Sequence, residues 1–279
     1  MPLSRPIITL TTDFGQVDYY VAAMKAVLLQ YCPDAQLVDV THQVPPQDVL
    51  TGSIVLERAI CSFPPGTTHL AVVDPGVGTS RRMLVMGIRD QVVVCPDNGL
   101  ITWTIRRMQG AAQLPRLPGR SPMLKPAVRS RMEGPSFMSE LVWRPPLVSR
   151  VFHGRDIMAP AAGRIARGDL IGTFTEPFHN PVLLNIALAT SGRTGQIIHI
   201  DHFGNATSNI PQELTEHHQA AQIVAKGQNV GPLQQKYADV GIGQPLALIG
   251  SSGLLEIAVR DGSAAKVLGL RIHDPIELH

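Results

Sequence analysis

Cysteine is scarce in this chain. Cys32, Cys61 and Cys95 stand far apart and form no Cys-x-x-Cys pair, so neither a structural zinc site nor a disulfide framework is expected, and a reduced cytoplasmic setting fits. A surplus of charge is also missing. The formal net charge is +2, which gives bulk electrostatics no hold on nucleic acid or on a membrane. No uninterrupted apolar run is long enough to cross a bilayer. The start, Met1 to Pro6, has no apolar region of the kind a signal peptide needs. Phosphate-loop and His-Glu-x-x-His patterns are absent. Gly76-Val77-Gly78-Thr79-Ser80-Arg81 opens like a dinucleotide fingerprint, but Arg81 replaces the third glycine and Pro75 precedes the turn. His217 and His218 are adjacent and point apart on a helix, as surface residues do rather than ligands. No metal and no cofactor is expected.

What is present is a core. The chain has 279 residues, 44% hydrophobic and 16% charged, a length that suggests two domains and a composition that suggests a globular protein. Ile7–Leu10, Leu37–Val40 and Leu70–Val73 are short apolar runs that read as buried strands. Val21, Met24, Val27, Leu28 and Tyr31 recur at helical spacing, as do Val49, Ser53, Leu56 and Ile60, with Pro64-Pro65-Gly66 closing the second helix. Met83–Ile88 and Gln91–Cys95 read as two further strands. This alternation predicts an α/β domain over residues 1–176 with a mainly parallel sheet. Ligands of such sheets lie beyond the carboxyl ends of strands, where Asp13 and Asp74 fall.

Residues 110–150 break the pattern. Seven prolines between Pro115 and Pro146 predict a long irregular insertion. Arg106, Arg107, Arg116, Arg120, Arg129, Arg131, Arg144 and Arg150 crowd this region, either as a solvated surface or as a polyanion-binding loop. Regularity returns with a helix over Ile157–Arg167, which Gly168 suits as a cap. Residues 177–181 read as a linker. Beyond it, Gln196–Ile200, Ala221–Val224, Leu246–Ile249, Leu254–Val259 and Lys266–Leu270 are short runs between turn residues, predicting a smaller all-β barrel or sandwich over 182–279.

Three clusters set a carboxylate beside a tight turn: Thr12-Asp13-Phe14-Gly15, Asp74-Pro75-Gly76-Val77-Gly78 with Arg81, and Phe152-His153-Gly154-Arg155-Asp156. Each has a structural reading beside the chemical one. Asp13 or Asp18 can cap the following helix. Asp74 and Arg81 can be an ion pair that braces a turn. His153 can be a packed, hydrogen-bonded histidine. Asn205, after Gly204, suits a left-handed turn, and Ser251-Ser252-Gly253 suits another. Taken together, an acid, an imidazole and a fixed cation are the groups that manage a water molecule, which points to hydrolysis or group transfer.

The succession of motifs carries a resemblance. Asp13-Phe14-Gly15 with Asp18 and Lys25, Asp74–Gly78 with Arg81, Pro96-Asp97-Asn98-Gly99-Leu100, Phe152–Asp156 with Ala159-Pro160, Asp201 with Phe203-Gly204-Asn205, and Leu255–Val259 occur in this order. The chain resembles the S-adenosyl-L-methionine (SAM) hydroxide adenosyltransferases, or SAM hydrolases, relatives of the fluorinases and chlorinases. The resemblance implies an α/β domain joined to a smaller β domain, in a homotrimer with sites shared between subunits. It implies Asp74, Arg81 and His153 as the catalytic set and Asp13 as the ribose ligand. Asp18 and Asp201 would lie near the methionine part, and Asn205 would read adenine. Phe203 and Tyr237 would enclose the base, Phe152 would join the binding set, and Ser251 would hold the amino-acid end. The halogenases carry tyrosine where Asp74 stands and serine where Gly154 stands. The family's Thr-Asn-Ile reads Ser208-Asn209-Ile210 here, and the stretch before Phe152 is extended.

The implied reaction is attack of water on the ribose C5′ of SAM, giving adenosine and L-methionine, with SAM as substrate and no further cofactor. The rival readings are a non-catalytic SAM or adenosine binder, a halide-using relative that forms a 5′-halo nucleoside, and a nucleic-acid binder using the arginine-rich stretch.

Overall fold

The computed structural model describes residues 5–109, 137–215 and 221–279. They fall into two compact units: residues 5–105 with 137–185, and residues 106–109, 186–215 and 221–279. Residues 110–136, with Arg116, Arg120, Arg129 and Arg131, and also His217 and His218, lie outside the described residues.

The first unit is built from β1 (Ile7–Thr12), α1 (Tyr20–Tyr31), β2 (Gln36–Thr41), α2 (Val49–Ser62), β3 (Thr68–Val72), β4 (Met83–Ile88), β5 (Gln91–Pro96), the start of α3 (Thr102–Gln109), β6 (Phe137–Leu141), α4 (Ala159–Ala166) and β7 (Thr175–Pro177). Its seven strands pair in the order β2-β1-β3-β5-β4-β6-β7. β1 pairs in parallel with β2 and β3, and β3 with β5. The other three pairings are antiparallel. The sheet is therefore mixed, which corrects the expectation of a mainly parallel one. Only Arg89 and Asp90 separate β4 from β5, both in the left-handed region at φ 52° and 59°. Two such residues form a hairpin turn and force the strands antiparallel.

β3 and β4 are buried along their whole length, so their sequences are continuous apolar runs rather than alternating ones. Ile8 and Leu10 of β1, Met24 and Leu28 of α1, Leu70 and Val72 of β3, and Ala161 and Ala162 of α4 form the main core. Asp48 caps α2 by accepting from Thr51 N at 2.9 Å. α4 follows a π-helical turn over Gly154–Met158, and Gly168 lies just past its end with φ 98°, as expected. β6 lies inside the stretch predicted to be irregular. It pairs with β4 and β7, a partnership that its proline-rich flanks conceal. Pro177, expected in the linker, is the last residue of β7.

The second unit contains β8 (Thr194–Ile200), β9 (Ala206–Pro211), α5 (Gln212–Thr215), β10 (Ile223–Ala225), β11 (Gln228–Gly231), β12 (Leu233–Gln234), β13 (Pro245–Ile249), β14 (Leu254–Val259), α6 (Ala264–Val267) and β15 (Pro275–Leu278). Eight strands pair in the order β11-β10-β15-β8-β9-β14-β13-β12, in a barrel-like sheet around Ile197, Ile210, Leu255, Ile257 and Ile276. The strand expected over Lys266–Leu270 is not there. Ser263 caps a helical turn instead, its side chain accepting from Lys266 N, and local capping outweighs the apolar run. Among the described residues no helix is long and apolar enough to cross a membrane.

Candidate active site

β3 delivers Asp74 just beyond its carboxyl end, and a tight turn brings Arg81 back to it. Val77 N donates to Asp74 O and Thr79 N to Gly76 O, while the Thr79 hydroxyl bonds Gly76 O at 2.7 Å. Gly78 is required here. Its φ is 83°, and a Cβ would sit 2.6 Å from the Arg150 carbonyl oxygen, so no side chain fits between the turn and the segment leading to His153. Arg81 then grips Asp74 with both arms: Nε donates to Oδ1 at 2.5 Å, and Nη2 donates to Oδ2. The two side chains are only 8% and 5% exposed. A bidentate pair removed from water is held rigidly, and losing one partner strands the other charge.

His153 completes the group. Arg81 Nη1 donates to His153 Nδ1 at 3.1 Å. A guanidinium can only donate, so Nδ1 must offer a lone pair, and the neutral ring carries its hydrogen on Nε2. Burial holds the His153 pKa below the usual imidazole value, and the Arg81 charge adds to the lowering, against Asp74. Gly154 lets the backbone approach β3: a Cβ there would lie 3.2 Å from Val72 Cγ1 and 3.5 Å from Met24 Sδ. A cavity of about 50 Å³ lies against Phe14, Asp74, Val77, Phe152, His153 and Gly154. Its lining is mostly apolar, with Asp74 and His153 as the polar side chains, and it is large enough for ordered water.

Aromatic rings flank this cavity. Phe152 is buried and meets Phe14 and Tyr20 edge-on at 5.9 and 5.3 Å. The Arg155 guanidinium lies 4.8 Å from the Phe152 ring centre and also bonds Asp156 at 2.6 Å. Asp156 in turn accepts from Ser149 N at 2.7 Å, so this last carboxylate of the motif braces a loop.

Neither Asp13 nor Asp18 caps α1, whose cap residue is Tyr19. Asp13 Oδ2 instead accepts from Gln47 N at 2.8 Å, and this pins the β1 turn to the loop after β2. Asp18 is exposed beside Val17 and Tyr19. Asp13, Phe14, Asp18, Asp74, Arg81, Phe152 and His153 all belong to the first unit.

The remaining predicted residues lie in the second unit. Asp201 organises the β8–β9 turn: Oδ1 accepts from Phe203 N and Asn205 N, both at 2.9 Å, and Oδ2 from Asn205 Nδ2 at 3.1 Å. The left-handed residue is Gly204, at φ 87°, rather than Asn205. A cavity of about 490 Å³ is lined by Phe203, Asn205, Tyr237, Val259, Arg260 and Asp261. The Tyr237 hydroxyl donates to Glu256 Oε1 at 2.7 Å, and burial, with this bond, raises its pKa. Ser251 is exposed in the β13–β14 turn and does not line that cavity. Phe14, Tyr20, Arg260 and Asp261 escape sequence reasoning. Phe14 and Tyr20 had a usable signal, being aromatics on either side of the first acidic turn. Arg260 and Asp261 follow a strand into a Gly-rich turn, a pattern shared with ordinary hairpins. No cluster of metal-ligating side chains occurs among the described residues.

Comparison with known proteins covers both units. Residues 8–175 match the SAM hydroxide adenosyltransferase N-terminal domain, and residues 195–277 match the C-terminal domain. An (R)-S-adenosyl-L-methionine hydrolase of Thermus thermophilus is 37% identical over 98% of this chain and 99% of its own length. One from Salinispora tropica is 34% identical over 98% and 97%. A fluorinase of Actinopolyspora mzabensis is more distant, 26% identical over 96% and 95%. The crystal structure of an uncharacterized conserved protein from Thermotoga maritima superposes with a TM-score of 0.83 at 31% identity, over 98% of this chain and all of that one. With both halves matched in order and whole-length relatives above 30% identity, the chain belongs to the SAM hydroxide adenosyltransferase family.

Proposed function

We propose that the protein hydrolyses SAM to adenosine and L-methionine, with Asp74, Arg81 and His153 managing the attacking water. The observation that carries this reading is the joining of these three side chains, one turn supplying Asp74 and Arg81 and a second segment supplying His153, with Asp74 and His153 lining a small cavity. SAM is the substrate, and the scheme calls on no metal or further cofactor. The leaving group departs as a neutral thioether, so no general acid is needed. The demand falls on the nucleophile, since bulk water has a pKa of about 15.7. His153, with Nδ1 committed to Arg81, donates from Nε2 to the water oxygen and orients it. Asp74 accepts the water's proton as the C5′–O bond forms and the C5′–S electron pair returns to sulfur; the proton then leaves to solvent. Arg81 stabilises the developing negative charge and fixes both partners. Holding water in line behind C5′ removes much of the entropic barrier.

Asp13 binds the ribose hydroxyls in this scheme. Asp18 and Asp201 balance the sulfonium charge, Asn205 reads adenine between Phe203 and Tyr237, and Ser251 holds the amino-acid end. The second-unit residues serve a site completed by another copy, in a homotrimer. The Asp74 carboxylate disfavours a halide as nucleophile, since like charges would share a small cavity. Turnover in ¹⁸O-water tests the scheme. Label in the adenosine 5′-hydroxyl is expected. Binding of SAM without release of adenosine and methionine would make the protein a sensor, and a 5′-halo nucleoside formed with chloride or fluoride would make it a halogenase.

A further inference from the structure

A buried polar network beneath Asp13 is not used by the catalytic set. Thr12, at the end of β1, and His42, just beyond β2, are 0% and 1% exposed. Thr12 Oγ1 lies 2.8 Å from His42 Nδ1. Across the ring, Nε2 lies 3.0 Å from Asp39 Oδ1, a close contact that falls short of hydrogen-bond geometry. Asp39 Oδ2 accepts from Lys25 Nζ at 2.6 Å. A carboxylate only accepts, so Nε2 carries hydrogen, and when the ring is neutral Nδ1 accepts from the Thr12 hydroxyl. The Thr12 oxygen then has a lone pair for Phe14 N, 3.3 Å away.

The backbone around Asp13 is tied to the same loop. His42 O accepts from Gly15 N at 2.7 Å, and Thr12 O accepts from Val44 N at 3.3 Å. Together with the Gln47 N bond to Asp13 Oδ2, these contacts fix the turn at both ends. Burying a histidine and hydroxyl in this way carries a desolvation cost that apolar side chains would avoid.

We infer that His42 is a positioning residue for the ribose site: through Thr12 it holds the Thr12–Gly15 turn in the conformation that presents Asp13. His42 itself touches no substrate. The inference rests on the reading of Asp13 as ribose ligand.

Two substitutions separate the arms of the ring. His42→Asn keeps an acceptor near Nδ1 and loses the arm toward Asp39. His42→Gln keeps a donor toward Asp39 and loses the acceptor for Thr12. Adenosine affinity by calorimetry, KM and kcat for SAM, and melting temperature are measured for both, and for Thr12→Val, Thr12→Val/His42→Gln and Asp13→Ala. His42→Gln and Thr12→Val are each expected to weaken adenosine binding about tenfold, raising KM more than they lower kcat, as loss of one buried hydrogen bond would. The double variant should lose no more than either single one, since both cut the same link. His42→Asn should recover most of the affinity. If Asp13→Ala weakens adenosine but His42→Gln and Thr12→Val do not, the positioning role is wrong and the ribose reading stands. If Asp13→Ala leaves affinity unchanged, the ribose reading falls and the inference with it. Equal losses in His42→Asn and His42→Gln would reduce the network to packing. Thr12→Val keeps the test open should a His42 variant fail to fold.

Discussion

His153 can hold its place only while Nδ1 is free of a proton. Protonation there would set an N–H against the Arg81 Nη1 donor 3.1 Å away and break the link between them. Burial, then the Arg81 charge, holds the His153 pKa below the ordinary 6.5, so the neutral ring persists into mildly acidic solution. The turnover rate is therefore expected to hold as the pH falls through 6.5 and to decline only below it, and an NMR titration of the His153 ring should share that midpoint. A ring midpoint at or above 6.5 would contradict the arrangement. At this scale the sequence was informative where a motif names a residue and poor where geometry decides its partner. Asp74, Arg81 and His153 are legible in order along the chain. That Asp13 bonds Gln47 rather than capping α1 is not, because the choice between two nearby amides depends on how the loop after β2 folds back. His42 is silent for the same reason: its partner Thr12 is distant in sequence and becomes a neighbour only because β1 and β2 pair in parallel.

Elements carry the site through two close approaches and one buried network. The Asp74–Arg81 turn lies against the Arg150 carbonyl at Gly78. Gly78→Ala adds both a left-handed penalty and a backbone clash, so a stability loss of about 2 kcal/mol is expected. Because the same turn aligns Arg81 with His153, kcat should fall with it, as denaturation and steady-state kinetics on one preparation would show. Behind the site, His69 crosslinks three strands: its Nδ1 bonds Thr9 Oγ1 at 2.7 Å, and its Nε2 bonds Gln91 Oε1 at 2.5 Å. Burial lowers its pKa from 6.5 to about 4. The folded value lies below the unfolded one, so its stabilising effect is complete above pH 6.5 and is lost as the pH falls toward 4. That loss is at most about 3 kcal/mol, and His69→Gln should flatten the corresponding part of a plot of urea midpoint against pH. The strands in these networks were legible as apolar runs. Their directions were not: β4 and β5 read like two more parallel strands, although a two-residue gap admits only a hairpin. β6 was hidden by its proline-rich surroundings. α6 was misread because Leu268 and Leu270 look like strand residues while Ser263 acts as a helix cap.

The whole molecule divides the proposed chemistry between two units. The first holds Asp74, Arg81 and His153, and the second holds Asp201, Asn205 and the larger cavity. The family resemblance implies that a site takes its two halves from different subunits of a ring. In a cyclic assembly every interface is head-to-tail, so each copy lends one half to each neighbour. That arrangement can be tested with two impaired variants, assayed at SAM well below the raised KM. Asp74→Asn keeps shape but loses the proton acceptor, and its kcat should fall by about 10² or more. Asn205→Ala loses the proposed adenine contact and should raise KM for SAM strongly. Mixed and refolded together in equal amounts, the two should regain activity, because some interfaces pair an intact first unit with an intact second unit from the other variant. Random assembly puts such pairs at roughly a quarter of all interfaces. Sites built within single chains would give no recovery at any mixing ratio, since every chain then carries a lesion in its own site. Light scattering on the same mixture should give a mass about three times that of the chain. A monomeric mass with no recovered activity would remove the shared site while leaving the Asp74–Arg81–His153 chemistry intact, because those three residues meet within one unit.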